Sequence, residues 1–367
     1  MSLQSFGTIN TADAAVPAML CMDANKKDEA MIHFYGDKPG AVLTDVKQKK
    51  NELLLIPKLL YRPAENGGLW HFPITPEEEN FMKHTYVNLV KSKFGLIGNW
   101  SSIGGTKGEI KFHQFESQRV KADQCETWED FKKWATKVRD QHDVLTFRGH
   151  GTKEFLLSTT LHRIGRHRIE RYCAEDLPAF KNHAEVLLGT KFNLQNGEDF
   201  STLLGLAQHH GLPTPLLDWT DSPYVAAFFA FADALEASRN KSHTHIRIYG
   251  LTREFINKTS PNVVALPMPN PYVASLRIAP RQNTRLYAQQ GRFLATNVAT
   301  VEDFILHLEE NEKRKYLYAV DMPIKIAAHA LQDLAYMGLT AAAMFPGLDG
   351  VCRMLKHSMS FPQPNRA

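Results

Sequence analysis

The run Val225, Ala226, Ala227, Phe228, Phe229, Ala230, Phe231 has no polar face, which predicts a helix buried nearly all round. Pro223 stands where the first turn of that helix tolerates a missing N–H, and Ser222 before it suits an N-cap. Upstream, Leu203, Leu206 and Ala207 recur at helical spacing and lead to His209 and His210, with Gly211 placed as a helix C-cap. Pro213 and Pro215 exclude helix from the segment joining the two, which carries Leu216-Leu217 into Asp218-Trp219-Thr220-Asp221-Ser222.

The same patterning divides the rest of the chain. Trp128, Phe131, Trp134, Ala135 and Val138 follow helical spacing behind Thr127, a fitting N-cap with Glu129 and Asp130 in the first turn. Val144 to Phe147 reads as a buried strand that delivers Arg148-Gly149-His150-Gly151 at its C-terminal end, and His245 to Leu251 alternates as a strand. Val301 to Lys315 and Lys325 to Met337 predict helices around a strand at Tyr316 to Val320, and the Phe345 to Gly350 turn opens a last helix reaching Lys356. Before Thr127 the signals are shorter: strands at Ala30 to Tyr35 and Leu53 to Leu60, a helix over Glu77 to Lys93, and loops at Gly36 to Gly40, Pro63 to Gly68 and Ser101 to Gly108. The expectation is an accessory α+β domain over 1–118 and a second domain over 119–367.

Composition narrows the class. The 367 residues are 43% hydrophobic and 22% charged, and no run approaches the roughly 20 apolar residues of a membrane span. The N-terminus lacks a basic region followed by an apolar stretch, so a secretory signal is not expected. Four scattered cysteines form neither a zinc CxxC pair nor a disulfide framework, which fits a reducing cytoplasm. A net charge of +4 permits an anionic partner without demanding nucleic acid.

Candidate chemistry gathers at three places. The two glycines beside Arg148 permit close approach of a ligand, and a guanidinium there grips a phosphate or carboxylate, or pairs with a structural carboxylate. The segment His162 to Arg171 holds Arg163, Arg166, Arg168 and Arg171 and reads either as a charged helix face or as a track for nucleic-acid phosphates. His209 and His210 point about 100° apart on a helix and do not converge on one ion, so no metal is expected; either could serve hydrolysis of a nucleic acid together with Arg148.

Three pieces then occur in order: Phe147-Arg148-Gly149, the stretch AQHHGLPTPLLDWTDSPYVAAFFA from Ala207 to Ala230, and Gln289-Gln290-Gly291-x-Phe293. Together these resemble the FRG domain, over about Thr127 to Lys356, with a departure at Pro215 where the family usually carries an arginine. The motif order is similar to that of ADP-ribosyltransferases, in which an Arg or His on a first strand is followed by a Ser/Thr motif entering an aromatic-rich helix and later by a Glu-bearing strand. The resemblance implies an α+β, ADP-ribosyltransferase-like core of small mixed sheets with helices that binds NAD and transfers ADP-ribose to a macromolecule, in enzymes that are often toxins or antiviral effectors held by an antitoxin or regulatory protein. It implies catalytic roles for Arg148, Thr220, Ser222 and Gln290, and NAD contacts from Arg148, Gly149, His150, Trp219, Tyr224 and Phe228. Gln290 hydrogen-bonds a ribose hydroxyl but offers no negative charge, so Asp218, Glu254 or Asp349 is the carboxylate to look for, and a noncatalytic nucleotide- or nucleic-acid-binding module is the alternative.

Overall fold

The first third of the chain forms a closed barrel. In a computed structural model describing residues 3–113, 117–236, 243–260, 265–276 and 288–361, nine strands precede residue 114: β1 (Gln4–Asn10), β2 (Ala15–Asp23), β3 (Lys26–Phe34), β4 (Gly40–Lys49), β5 (Glu52–Pro63), β6 (Leu69–His71), β7 (Tyr86–Ser92), β8 (Gly95–Ser101) and β9 (Lys107–His113). They run β4-β3-β2-β1-β9-β8-β7-β5, antiparallel throughout, and β4 pairs back onto β5 from Ala41↔Tyr61 to Lys49↔Glu52, closing eight strands with β6 as an added edge. Closure removes the two open edges that the eight strands would leave unpaired in an open sheet.

The helix expected over Glu77 to Lys93 is corrected to a short helix, Pro76–Lys83, followed by β7. Thr75 and Glu78 form a capping box at its start, and the alternation Val87, Leu89 buried against Tyr86, Asn88, Val90 exposed wins for the strand. On β2, Ala18, Leu20 and Met22 point into the barrel while Met19 and Cys21 pack on its outer side. A strand buried on both faces reads as a continuous apolar run, so the barrel left little alternation to detect.

The second sheet is mixed: β10 (Asp123–Gln124), β11 (Val144–His150), β12 (Leu216–Thr220), β13 (His245–Thr252), β14 (Val273–Leu276), β15 (Gly291–Thr296) and β16 (Leu317–Pro323), in the order β10-β16-β13-β11-β12-β15-β14. Only β10 and β16 run parallel. The helices Trp128–His142, Pro223–Glu236 and Ala327–Tyr336 cover one face through Trp128, Phe131, Phe228 and Phe231. Thr127 caps the first of these in a reciprocal capping box with Asp130. Helices Arg253–Lys258 and Val301–Glu312 border the other face around Trp219, Tyr249 and Tyr316.

The basic segment is neither a solvated helix face nor an open phosphate track. It is the seam between the barrel and the rest of the chain. Arg168 is buried between Glu29 of β3 (2.7 Å) and Glu170 (2.6 Å). Asp23, fully buried at the end of β2, accepts the backbone N–H groups of His167 (2.7 Å) and Arg168 (3.0 Å) and the Arg171 guanidinium (3.0 Å). Arg166 pairs with Asp176. Arg163 is exposed and donates to the Ser158 carbonyl and the Thr160 hydroxyl. Arg168 and Arg171 thus pair both with near neighbours, Glu170 and Glu175, and with Glu29 and Asp23, 139 and 148 positions away. Gln4 adds a two-way bond, donating to the Asn297 carbonyl and accepting from the Ala299 N–H. Arg277, Arg281 and Arg285 lie outside the described residues. Among the described residues, no helix is long and apolar enough to cross a membrane.

Candidate active site

β11 and β12 share one antiparallel pair, Phe147↔Thr220, and a cleft of about 420 Å³ opens beside it. Such a volume falls in the range of small-ligand sites. One wall comes from the two strands, a second from the helix Pro223–Glu236 that follows β12, and a third from the segment Ala341 to His357.

Gly149 makes this assembly possible. A Cβ there would lie 2.0 Å from the carbonyl oxygen of Ala226, so the glycine serves close packing of the helix on β11, and Gly151 does the same against Asp233.

Arg148 lies at the bottom of the cleft with most of its side chain covered. Its Nε donates to His150 Nε2 at 3.1 Å, its Nη1 donates to the Asp218 carbonyl, and Nη1 stands 4.0 Å from the Asp218 carboxylate. Burial lowers the Arg148 pKa from its ordinary value while Asp218 raises it; a guanidinium stays charged regardless. His150 is itself buried, and desolvation together with Arg148 and Arg163 pushes its pKa well below the ordinary value, so it is neutral and accepts from Arg148. His150 therefore positions the arginine and is not among the residues lining the cleft. Asp218 is exposed to the cleft and receives Gln208 Nε2 at 2.7 Å, and Gln208 in turn accepts from the buried Thr214.

The hydroxyls of the central stretch are committed elsewhere. Thr220 borders the cleft, yet its Oγ1 donates to the Gln289 carbonyl (2.7 Å) and accepts the Ser222 N–H (3.2 Å). Ser222 Oγ accepts the Val225 N–H (3.3 Å) as a helix cap and does not line the cleft. Asp221 is held by both guanidinium arms of Arg292 (3.1 and 3.2 Å), which fastens β15 to the turn. Gln290 is exposed with a left-handed backbone, φ 48°, and it contributes its carbonyl to the Asp221 N–H. Its neighbour Gln289 lines the cleft instead and bridges to the third wall by donating to the Met344 carbonyl (3.1 Å).

The aromatic wall is also redrawn. Trp219 and Phe228 border the cleft but are almost wholly buried, in the cores on opposite faces of the sheet, and Tyr224 packs edge-on against Trp128 and Phe131 outside it. Phe229 and Phe345, half-buried with ring centroids 5.8 Å apart, are the rings that retain open surface in the cleft. Arg353 lies over the Phe345 ring at 5.2 Å.

Two carboxylates that the sequence reading passed over face this wall. Asp233 and Glu236 sit three apart on one side of the helix Pro223–Glu236 and both line the cleft, as does Asp218; Glu254 and Asp349 do not. Desolvation raises the Asp233 pKa against a lowering hydrogen bond from the Gly151 N–H. Glu236 stands 3.7 Å from His357, whose pKa burial lowers. The available signal was their i, i+3 spacing on a helix otherwise apolar. His209 lines the cleft, whereas His210 is exposed outside it. Among the described residues, no cluster of three or more His, Cys, Asp or Glu side chains is placed to hold a metal ion.

The cleft thus brings together the Arg148 guanidinium, the carboxylates Asp218, Asp233 and Glu236, the rings Phe229 and Phe345, and Arg353. Residues 143–239 match the family model of the FRG domain, covering β11, β12 and the helix between the cleft walls. No curated protein and no solved structure matches the chain.

Proposed function

We propose that the FRG domain over residues 143–239, completed by Gln289, Phe345, Arg353 and His357, binds NAD and transfers its ADP-ribose to a macromolecular acceptor. The observation that carries this reading is that Arg148, Asp233 and Glu236 line one cleft. Breaking the bond between C1′ of the ribose and the nicotinamide nitrogen leaves positive charge on the sugar, and nicotinamide departs with the bonding electrons. A preorganised negative group lowers the energy of that oxocarbenium-like state. Asp233 and Glu236 supply the charge that Gln290 lacks, Arg148 and Arg353 suit the pyrophosphate, and Phe229 and Phe345 offer rings to a base. The acceptor's nucleophile then bonds to C1′ and its proton passes to Asp233, whose raised pKa suits a general base.

The test is incubation of the purified protein with NAD labelled in the adenylate phosphate, together with cellular RNA, DNA and protein. Nicotinamide release and labelled product are expected from wild type and lost in Arg148→Ala and Asp233→Asn. NAD binding by calorimetry without nicotinamide release would move the reading to a noncatalytic nucleotide-binding module. Absence of both binding and release would sink it.

A further inference from the structure

We propose that the helix Leu348–Ser358 is a self-association surface, docking antiparallel against the same helix of a second copy of this chain. Leu348, Val351, Leu355 and Met359 are 77%, 38%, 51% and 83% exposed, and Cys352 is exposed among them. At about 100° per residue these five fall within an arc of about 100°, one continuous stripe. The stripe does not serve the fold of the single chain, because the opposite side of the same helix does: Gly350 and His357 are buried and Met354 packs on the core. A contiguous apolar stripe held in water marks an interaction surface.

Charge selects the occupant. Asp349 and Lys356 flank the stripe along one edge, and neither forms an ion pair among the described residues. In a twofold antiparallel pair Leu348 meets Met359, Val351 meets Leu355, and Asp349 of each copy faces Lys356 of the other, twice over. A parallel pair turns that edge toward Val351, Met354 and Ser358, which offer neither charge a partner. The stripe is therefore complementary to itself in one register. The same helix presents Arg353 and His357 to the cleft on its other side, so association steadies one wall of the site.

Sedimentation of the full chain over a concentration series is expected to show a monomer–dimer equilibrium with a Kd on the order of 1–10 µM, since one helix per subunit is a small interface. Leu355→Asp, at an exposed position, weakens it by about 100-fold or more while leaving the thermal midpoint unchanged. Asp349→Lys and Lys356→Asp each weaken it by about 3- to 10-fold, and the double exchange restores it. A short bismaleimide links two chains through Cys352 and fails in Cys352→Ser. A wild-type chain that stays monomeric to about 100 µM, well above that expected Kd, overturns the proposal and leaves the stripe to a different protein. So does a Leu355→Asp chain that still dimerises, or a double exchange that restores nothing.

Discussion

Glu29 of the barrel and Arg168 of the region that follows it meet at 2.7 Å with both side chains buried. Hydrogen bonds from Arg168, Lys58 and Lys26 outweigh the burial that would raise the Glu29 pKa and hold it at about 2. Removing one member of such a pair leaves the other charged and desolvated, at a cost of about 3–5 kcal/mol. Glu29→Ala is therefore expected to lower stability by about 3 kcal/mol, read as a fall in the denaturant midpoint. Lys58→Ala removes a largely exposed partner of the same carboxylate and costs less than about 1 kcal/mol. Equal effects of the two variants would contradict the assignment of Arg168 as the principal partner.

Acid should loosen the same region before Glu29 titrates. Burial lowers His33 and His167 from the ordinary imidazole value to about 4. Above pH 6.5 both are neutral whether the chain is folded or unfolded. Between pH 6.5 and 4 the unfolded chain binds more protons, so stability falls as pH falls, by up to about 3 kcal/mol for each histidine. The Glu29 contribution is intact above about 4.5 and is lost progressively as pH falls from there through its folded pKa of about 2. Urea midpoints at pH 7 and 5 should differ, and His33→Gln with His167→Gln should reduce the difference, the remainder coming from His150, His162 and His357, which burial also lowers. A pH-independent midpoint would rule this out.

Gly149→Ala tests whether the glycine serves packing. Its Cβ would meet the Ala226 carbonyl, a backbone atom that cannot swing aside. The helix Pro223–Glu236 must shift, at about 3 kcal/mol or more. Calorimetric melting should show the loss in the absence of any ligand; an unchanged melting temperature would mean that the glycine serves ligand approach instead.

Positioning and lining roles separate in binding data. His150→Ala frees Arg148 Nε and is expected to weaken nucleotide binding by about 10-fold, one charge-assisted hydrogen bond. Gln289→Ala weakens it by a similar factor because it cuts the bridge to Met344. Gln290→Ala, at an exposed position, changes it by less than about 2-fold. Titration calorimetry with NAD reads all three, and a larger effect at Gln290 than at Gln289 would restore the pairing expected from motif order.

Local chemistry was legible in the chain. Thr127 had to cap, Pro223 had to open a helix, Gly211 had to take a left-handed turn, and the all-apolar Val225 to Phe231 had to be buried, because each follows from backbone geometry or from water within a few residues. Arg148 was legible as a site candidate because glycines follow it near the C-terminal end of its strand, whereas Asp218 lies in the middle of β12. What the tertiary structure decided is which charges meet. Nothing near Arg168 in the sequence announces Glu29, and nothing in Gln289-Gln290 tells which amide turns inward until β15 pairs with β12 and fixes the register. Asp233 and Glu236 became site residues only when the close approach at Gly149 set their helix along the cleft. Sequence determines the elements through short-range sterics and periodicity; the partners of a buried charge are set by packing across the whole chain.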